Sequence, residues 1–268
     1  MDNTAKMKIG DPLDLREIDG FEEAYKQRCG DNNINHVKFL GPDDTFSFAC
    51  KKLNTCCRDF SYADRINLDP YDIYRLSRKK KLSTTKFIEK YAELMLDKDN
   101  CIPIATLTCQ GTEGRNKCHF SRSYGCSVYN DRPLRCRLYP LGKISNKEKS
   151  YFMLINNCPC GDMVCDTEWT VNSWLSESEC DPYIEYQQFM TELLEDCDLE
   201  KYKSLSGIAK IEFGKTIYDL DSFAAKLPTE LAPKNEQELM MRLSEWVREF
   251  MLAHGCLKAA PEKIAVSA

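Results

Sequence analysis

A chain of 268 residues can bury a substantial core, so it does not depend on cysteine staples as secreted scaffolds below about 80 residues do. A formal charge of -5, from 42 acidic and 37 basic side chains, argues against a general nucleic-acid binder. With no run of 18 apolar residues and no apolar stretch behind the first charges, neither a membrane-spanning helix nor a signal peptide is expected, and the expected location is cytoplasmic.

Residues 1–45 are polar, with Gly/Asp/Asn clusters at Gly30-Asp31-Asn32-Asn33 and Gly41-Pro42-Asp43-Asp44, and read as an N-terminal arm. The cysteine-rich region follows over residues 46–175. Within it Asp69-Pro70 opens a helix, with Asp as cap, Pro at the first helical position, and Ile73 and Leu76 on one face. Ser83 caps a second helix, in which Phe87, Ile88, Tyr91, Leu94 and Met95 fall at helical spacing. From Cys101 to Gly125 no period is evident, and Gly111-Thr112-Glu113-Gly114-Arg115 reads as an irregular loop. Leu138 to Ile144 and Tyr151 to Ile155 are β-prone runs joined by Ser145-Asn146-Lys147-Glu148-Lys149, which predicts a hairpin carrying Cys136 and Cys158 at its two ends.

Over residues 176–260 amphipathic helices take over. Asp181-Pro182 opens one through Tyr186, Phe189, Met190 and Leu193. Asn235-x-x-Glu238 resembles a capping box before Leu239, Leu243, Trp246, Val247 and Phe250, and Gly255 suits the C-terminal cap. These helices are expected to pack on the cysteine-rich region, with 261–268 as a tail. The fold class is therefore α-dominated α+β, helices around irregular cysteine-bearing loops with one short β-hairpin.

Cysteine is the outlier of the composition. In a reducing compartment thiols do not persist as disulfides, and an odd total of fifteen cannot pair off within one chain. Metal ligation is the leading explanation. Thiolates are soft ligands that suit iron-sulfur clusters and zinc, and with only His36, His119 and His254 as imidazoles a cysteine-only site is favoured. Structural zinc prefers paired Cys-x2-4-Cys knuckles, whereas Cys50-x5-Cys56-Cys57 and Cys158-Pro159-Cys160-Gly161-x3-Cys165 fit irregular cluster loops better. A cubane uses about four thiolates, so the cofactor expected is an iron-sulfur cluster of the [4Fe-4S] type, one or two in number, with zinc as the alternative. Cys29, Cys101, Cys180, Cys197 and Cys256 sit in ordinary contexts and read as small buried hydrophobes.

Phe48-x-Cys50, Cys56-Cys57-Arg58, Leu68-Asp69-Pro70-Tyr71-Asp72-Ile73, Cys118-His119-Phe120, Cys126-Ser127-Val128-Tyr129, Arg132-Pro133-x-x-Cys136-Arg137 and Tyr139-Pro140 together resemble the YkgJ-like cysteine-cluster family of zinc- or iron-chelating proteins. The resemblance covers about residues 46–165. It implies Cys50, Cys56, Cys57, Cys118, Cys126 and Cys136 as metal ligands, with Cys158 at the position of a later family cysteine. Where the family's first motif carries a second cysteine, this chain has Leu53 and its neighbours. Cys109, Cys160 and Cys165 add thiols beyond the family pattern and complete the candidate ligand set. Arg132, Arg135 and Arg137 bracket Cys136 and are candidates for offsetting a cluster's negative charge and donating hydrogen bonds to it, against salt bridging to Asp131 as the plainer role.

Three functions fit these residues. The first is a cluster-binding protein that transfers electrons or serves a partner enzyme. The second is a structural zinc module for protein contacts, and the third an S-adenosylmethionine-dependent lysine methylase, since flagellin lysine-N-methylase carries a similar cysteine cluster. A protein partner is expected, a membrane is not, and nucleic acid is disfavoured.

Overall fold

In the computed structural model, which describes residues 37–50, 66–98, 100–110, 117–145, 150–155 and 167–257, helices dominate and strands are short, as expected for an α-dominated α+β chain. β1 (Val37–Leu40) joins a three-stranded sheet with the two strands of a later hairpin, and β2 (Thr45–Ser47) pairs with a strand near residue 170. After β3 (Ile66–Leu68) comes α1 (Pro70–Lys80), whose start follows the cap chemistry: Pro70 leads, and the Asp72 carboxylate accepts the Asp69 amide at 2.9 Å. Its basic last turn is held in part by acids, Arg78 pairing with Asp221 and Lys79 with Asp131 at 3.5 Å.

The next helix is shorter than its apolar spacing predicts. Ser83 Oγ caps α2 (Thr84–Tyr91), but Leu94 and Met95 belong to β4 (Ala92–Leu96) rather than to the helix. The competing interaction is a ladder to β5 (Pro103–Leu107), paired from Ala92↔Leu107 to Leu96↔Pro103, while the Thr108 amide closes on Tyr91 O at 2.8 Å. Those bonds satisfy the backbone groups a longer helix would have used. β5 also pairs with β3, and Pro103, Ala105, Thr106 and Leu107 are all buried, so the strand shows no alternation that sequence could reveal.

Two small ladders carry cysteines: β6 (Cys109–Gln110) with β7 (Lys117–Cys118), and β8 (Ser121–Arg122) with β9 (Gly125–Cys126). A 3-10 turn (Tyr129–Asp131) leads into the short helix α3 (Leu134–Leu138). The predicted hairpin forms from β10 (Leu141–Ser145) and β11 (Ser150–Ile155), paired from Leu141↔Leu154 to Ser145↔Ser150. It starts later than predicted because Leu138 is taken by α3, and β1 adds a third strand on the far edge of β11. The described residues thus hold several small sheets where a single hairpin was expected.

β12 (Glu168–Thr170) pairs with β2 and passes into α4 (Val171–Glu177), capped by Thr170. Then follow α5 (Asp181–Asp196), α6 (Leu199–Ser204), α7 (Gly207–Tyr218), α8 (Leu220–Lys226) and α9 (Glu236–Ala253). Asn235 Oδ1 accepts the Glu238 amide at 2.8 Å, and Gly255 takes φ 64° after α9, a conformation glycine adopts without a side-chain clash. α7 rests directly on β5: a Cβ added at Gly214 would lie 2.8 Å from Pro103 Cβ, and Tyr218 donates to Pro103 O at 3.2 Å. One apolar cluster runs from Phe46 through Leu76, Phe87 and Phe120 to Phe213, Leu243 and Val247. Among the described residues no helix is long and apolar enough to cross a membrane.

Candidate metal centre

The candidate thiols are placed by very short elements tied to the helical framework. Phe48 is fixed by its backbone, with its amide on Thr167 O at 3.1 Å and its carbonyl accepting Trp169 Nε1 at 2.9 Å; its ring meets Trp174 and Tyr139 edge-on. Cys50 leaves this anchored segment exposed to solvent. Negative charge at Cys50 and at Cys126 acts, after burial, to raise the Tyr129 hydroxyl. Burial is the largest cause raising the Tyr129 titration, and Arg132 works against it with its guanidinium 4.1 Å over the ring.

Cys118 is the best built position. The β6–β7 ladder sets it directly opposite Cys109, which puts both side chains on one face. The chain then turns tightly through His119, so that the Phe120 amide points at Cys118 Sγ from 3.4 Å, and the Ser121 amide acts on the thiol in the same direction. Burial pushes the Cys118 thiol up to about 11, those two donors pull the other way, and negative charge on Cys126 and Cys109 adds to the rise. Cys109 is half-buried, and burial raises its thiol too. Cys126 lies on β9, opposite Ser121, whose Oγ is buried without a hydrogen-bond partner among the described residues.

Cys136 sits half-buried on α3, and α3 is held from three sides. Its first amide, at Leu134, donates to Asp72 Oδ1 at 2.9 Å, and its last carbonyl, at Leu138, accepts Trp174 Nε1 at 3.0 Å. The third tie is Arg137, only 1% exposed. Its Nε donates to Arg132 O, its Nη1 to Ser178 O and Glu179, and its Nη2 to Asn130 O and Tyr183 Oη, with the guanidinium 4.4 Å over the Tyr183 ring. These five contacts match the five N–H donors of an arginine, so the side chain faces carbonyls, a carboxylate and a phenol rather than the candidate ligand thiols.

The other two arginines diverge. Arg132 stays beside Tyr129 and donates to its carbonyl at 2.8 Å, within reach of the Cys50 side of the site. Arg135 is exposed and its charge acts on Asp69, away from Cys118. His119 is turned aside, with Nε2 3.0 Å from Thr108 Oγ1 and its ring edge-on to Tyr91.

Among the described residues, no three Cys, His, Asp or Glu side chains approach closely enough to hold a metal ion. Cys56, Cys57, Cys158, Cys160 and Cys165 lie outside the described residues. In donor type the described residues suit a soft metal or cluster: they are thiols, the Phe120 amide donates to one of them, and the orphaned Ser121 hydroxyl stands opposite another in the β8–β9 register. Of the cysteines read as hydrophobes, Cys180, Cys197 and Cys256 are buried and Cys101 is half-buried. The tie from Asp72 to Leu134 escaped sequence reasoning, because an Asp inside an N-terminal capping pattern signals only its own helix. The Cys118 amide cradle had a faint signal in the Gly125 and Ser-rich spacing that permits such short ladders.

No curated protein and no solved structure matches the chain. Residues 49–159 match the family model described as "CxxCxxCC: Putative zinc- or iron-chelating domain", so over this segment the chain is similar to that cysteine-cluster family, as its motifs indicate.

Proposed function

We propose that the protein binds metal through its cysteine cluster and holds one or two iron-sulfur clusters, of the [4Fe-4S] type, for electron transfer or as an accessory to a partner enzyme. The observation that supports this most is the Cys118 turn, where the Phe120 amide donates to a sulfur whose residue stands opposite Cys109 in the β6–β7 register. Amide donors lower the cost of carrying negative charge on sulfur, which is of use once the thiol is deprotonated and bound. Soft thiolates with few imidazoles favour iron-sulfur or zinc over magnesium or calcium.

A bound cluster would supply a redox centre whose potential depends on the hydrogen bonds to its sulfurs and on exposure. The chain supplies the remainder. Phe120 and Tyr129 limit water at the ladders, Arg132 places positive charge beside Tyr129 and Cys50, and Arg137 with Asp72 holds the helix that carries Cys136. The test is anaerobic purification followed by iron, acid-labile sulfide and zinc analysis per chain. Iron with sulfide, nearer two cubanes than one, is the expected result. About four irons would remove the second cluster. Stoichiometric zinc without iron would replace the cluster reading with a structural zinc site.

A further inference from the structure

Two helix ends meet over the Cys118 turn, and both carry cations. Lys80 closes α1 with its Nζ 6.0 Å from the centre of the Phe120 ring, and Lys90, in the last turn of α2, lies 5.3 Å over the Tyr91 ring. The rings of Tyr91 and Phe120 are themselves 5.3 Å apart, so the two ammonium groups belong to one surface. Lys86, one helical turn before Lys90, is exposed on the same side of α2. Arg122 adds a fourth cation from β8, its Nη1 donating to the carbonyls of His119 and Ser121 at 2.8 Å each. We propose that this cationic face is a docking surface for a partner protein that presents clustered carboxylates. That the docking serves the thiols beneath rests on the metal-binding reading above; the surface itself does not.

Helix-end electrostatics are the rival account, since cations are favoured where a helix presents its last carbonyls. They explain Lys80 and Lys90 one at a time. They do not explain why the two ends converge on one pair of rings, nor Arg122, which stands on a two-residue strand. Ion pairing within the fold is no rival either. Arg75, Arg78 and Lys79 of α1 pair with Asp131 and Asp221, whereas among the described residues no carboxylate, Glu89 and Glu93 included, comes within ion-pair distance of Lys80, Lys86 or Lys90.

The position of the face selects the partner. The Phe120 ring lies under Lys80 while the Phe120 amide donates to Cys118 Sγ, so a molecule seated on Lys80 is separated from that sulfur by the thickness of one residue. Nucleic acid is the weaker match. Lys80 and Lys90 cover ring faces on which bases would stack, and the net charge of -5 opposes a long polyanion. Tyr124, in the β8–β9 turn and 73% exposed, offers one base a platform rather than a track. A bounded group of carboxylates meets the cations without facing the acids elsewhere on the chain, which is the complementarity that steers transient protein contacts.

The experiment uses the full chain, with short poly-L-glutamate standing in for the partner's carboxylates and polyuridylate as the nucleic-acid comparison, each followed by fluorescence anisotropy at low ionic strength and again with added salt. A chain of net charge -5 has no general reason to bind poly-L-glutamate, so binding by the wild type reports a local face. Lys80→Gln/Lys86→Gln/Lys90→Gln is expected to weaken it about tenfold, and added salt to remove most of it. The control Lys215→Gln/Lys226→Gln/Lys234→Gln, three exposed lysines of the C-terminal half with the same change in net charge, should bind as the wild type does. Thermal midpoints are measured for each variant. Should the triple variant be destabilised, Lys86→Gln/Lys90→Gln, both exposed, decides, with a loss of about fivefold expected. No binding by the wild type, full binding by the triple variant, or an equal loss in the control would overturn the docking face. Tighter binding of polyuridylate than of poly-L-glutamate would overturn the protein partner in favour of nucleic acid. Wild-type protein with neither iron nor zinc would overturn the metal-binding reading while leaving this binding measurable, so the two failures are read apart.

Discussion

Replacing Arg137 by lysine separates two roles for an arginine beside a candidate ligand cysteine. If the guanidinium served mainly to offset thiolate charge, lysine would keep the charge and change little in the fold. The structure instead gives Arg137 five acceptors, of which Glu179 is 75% exposed and adds little. Four remain: the carbonyls of Arg132, Ser178 and Asn130, and the Tyr183 hydroxyl. An ammonium has three donors radiating from one atom and cannot span the fork, so at least one buried acceptor is left unpaired. With hydrogen bonds to charged groups contributing about 1.5–3 kcal/mol, Arg137→Lys should cost about 2–4 kcal/mol. For a chain of this size that lowers the melting temperature by about 5–15 °C. Differential scanning fluorimetry of the metal-free protein measures it without interference from the site. An unchanged midpoint accompanied by reduced metal content would refute the architectural role and return Arg137 to the cluster.

Cys57→Ser and Cys136→Ser should each lose a large part of the bound metal, whereas Cys256→Ser, buried beyond α9, should keep it; metal per folded chain decides, and the reverse pattern would defeat the ligand assignment. Metal affinity should rise with pH. The Cys118 thiol, pushed up to about 11, is protonated near neutrality, so binding expels its proton and each pH unit strengthens binding about tenfold for that thiol; zinc competition titrations at two pH values on the metal-free protein measure this. Gly214→Ala should destabilise the chain by about 1–3 kcal/mol from overpacking against Pro103, less about 1 kcal/mol gained in helix propensity, and a higher denaturation midpoint would contradict it.

What sequence revealed and what it hid divide along local and non-local interactions. Ser83 and Asn235 cap their own helices through neighbouring amides, Asp72 takes the Asp69 amide, and Pro182 in the first turn marks the start of α5 behind Cys180, so local chemistry located those starts. β5 was hidden because burial on both faces removes alternation, and the end of α2 was hidden because Leu94 and Met95 suit either period until a distant strand decides between them. At the site, motif spacing pointed to Cys118, Cys126 and Cys136. It gave no notice that Arg137 turns toward Ser178 and Tyr183, because those partners lie over forty residues downstream. The Cys109–Cys118 register was likewise invisible, since two-residue strands are too short to show any period.

The seating of α7 on Pro103 has a bearing on the thiols that neither touches. β5 ends at Leu107, two residues before Cys109, so the position of that thiol is inherited from a strand clamped by Tyr218 and the Gly214 contact. Arg78 and Thr84 reinforce the same seam through Asp221, joining α1 and the start of α2 to α8. The C-terminal helices therefore serve as ballast for the cysteine-rich region, seated on the strand that precedes the β6–β7 ladder. Side chains more than fifty residues past Cys165, with no metal chemistry of their own, thus fix the strand from which Cys109 follows.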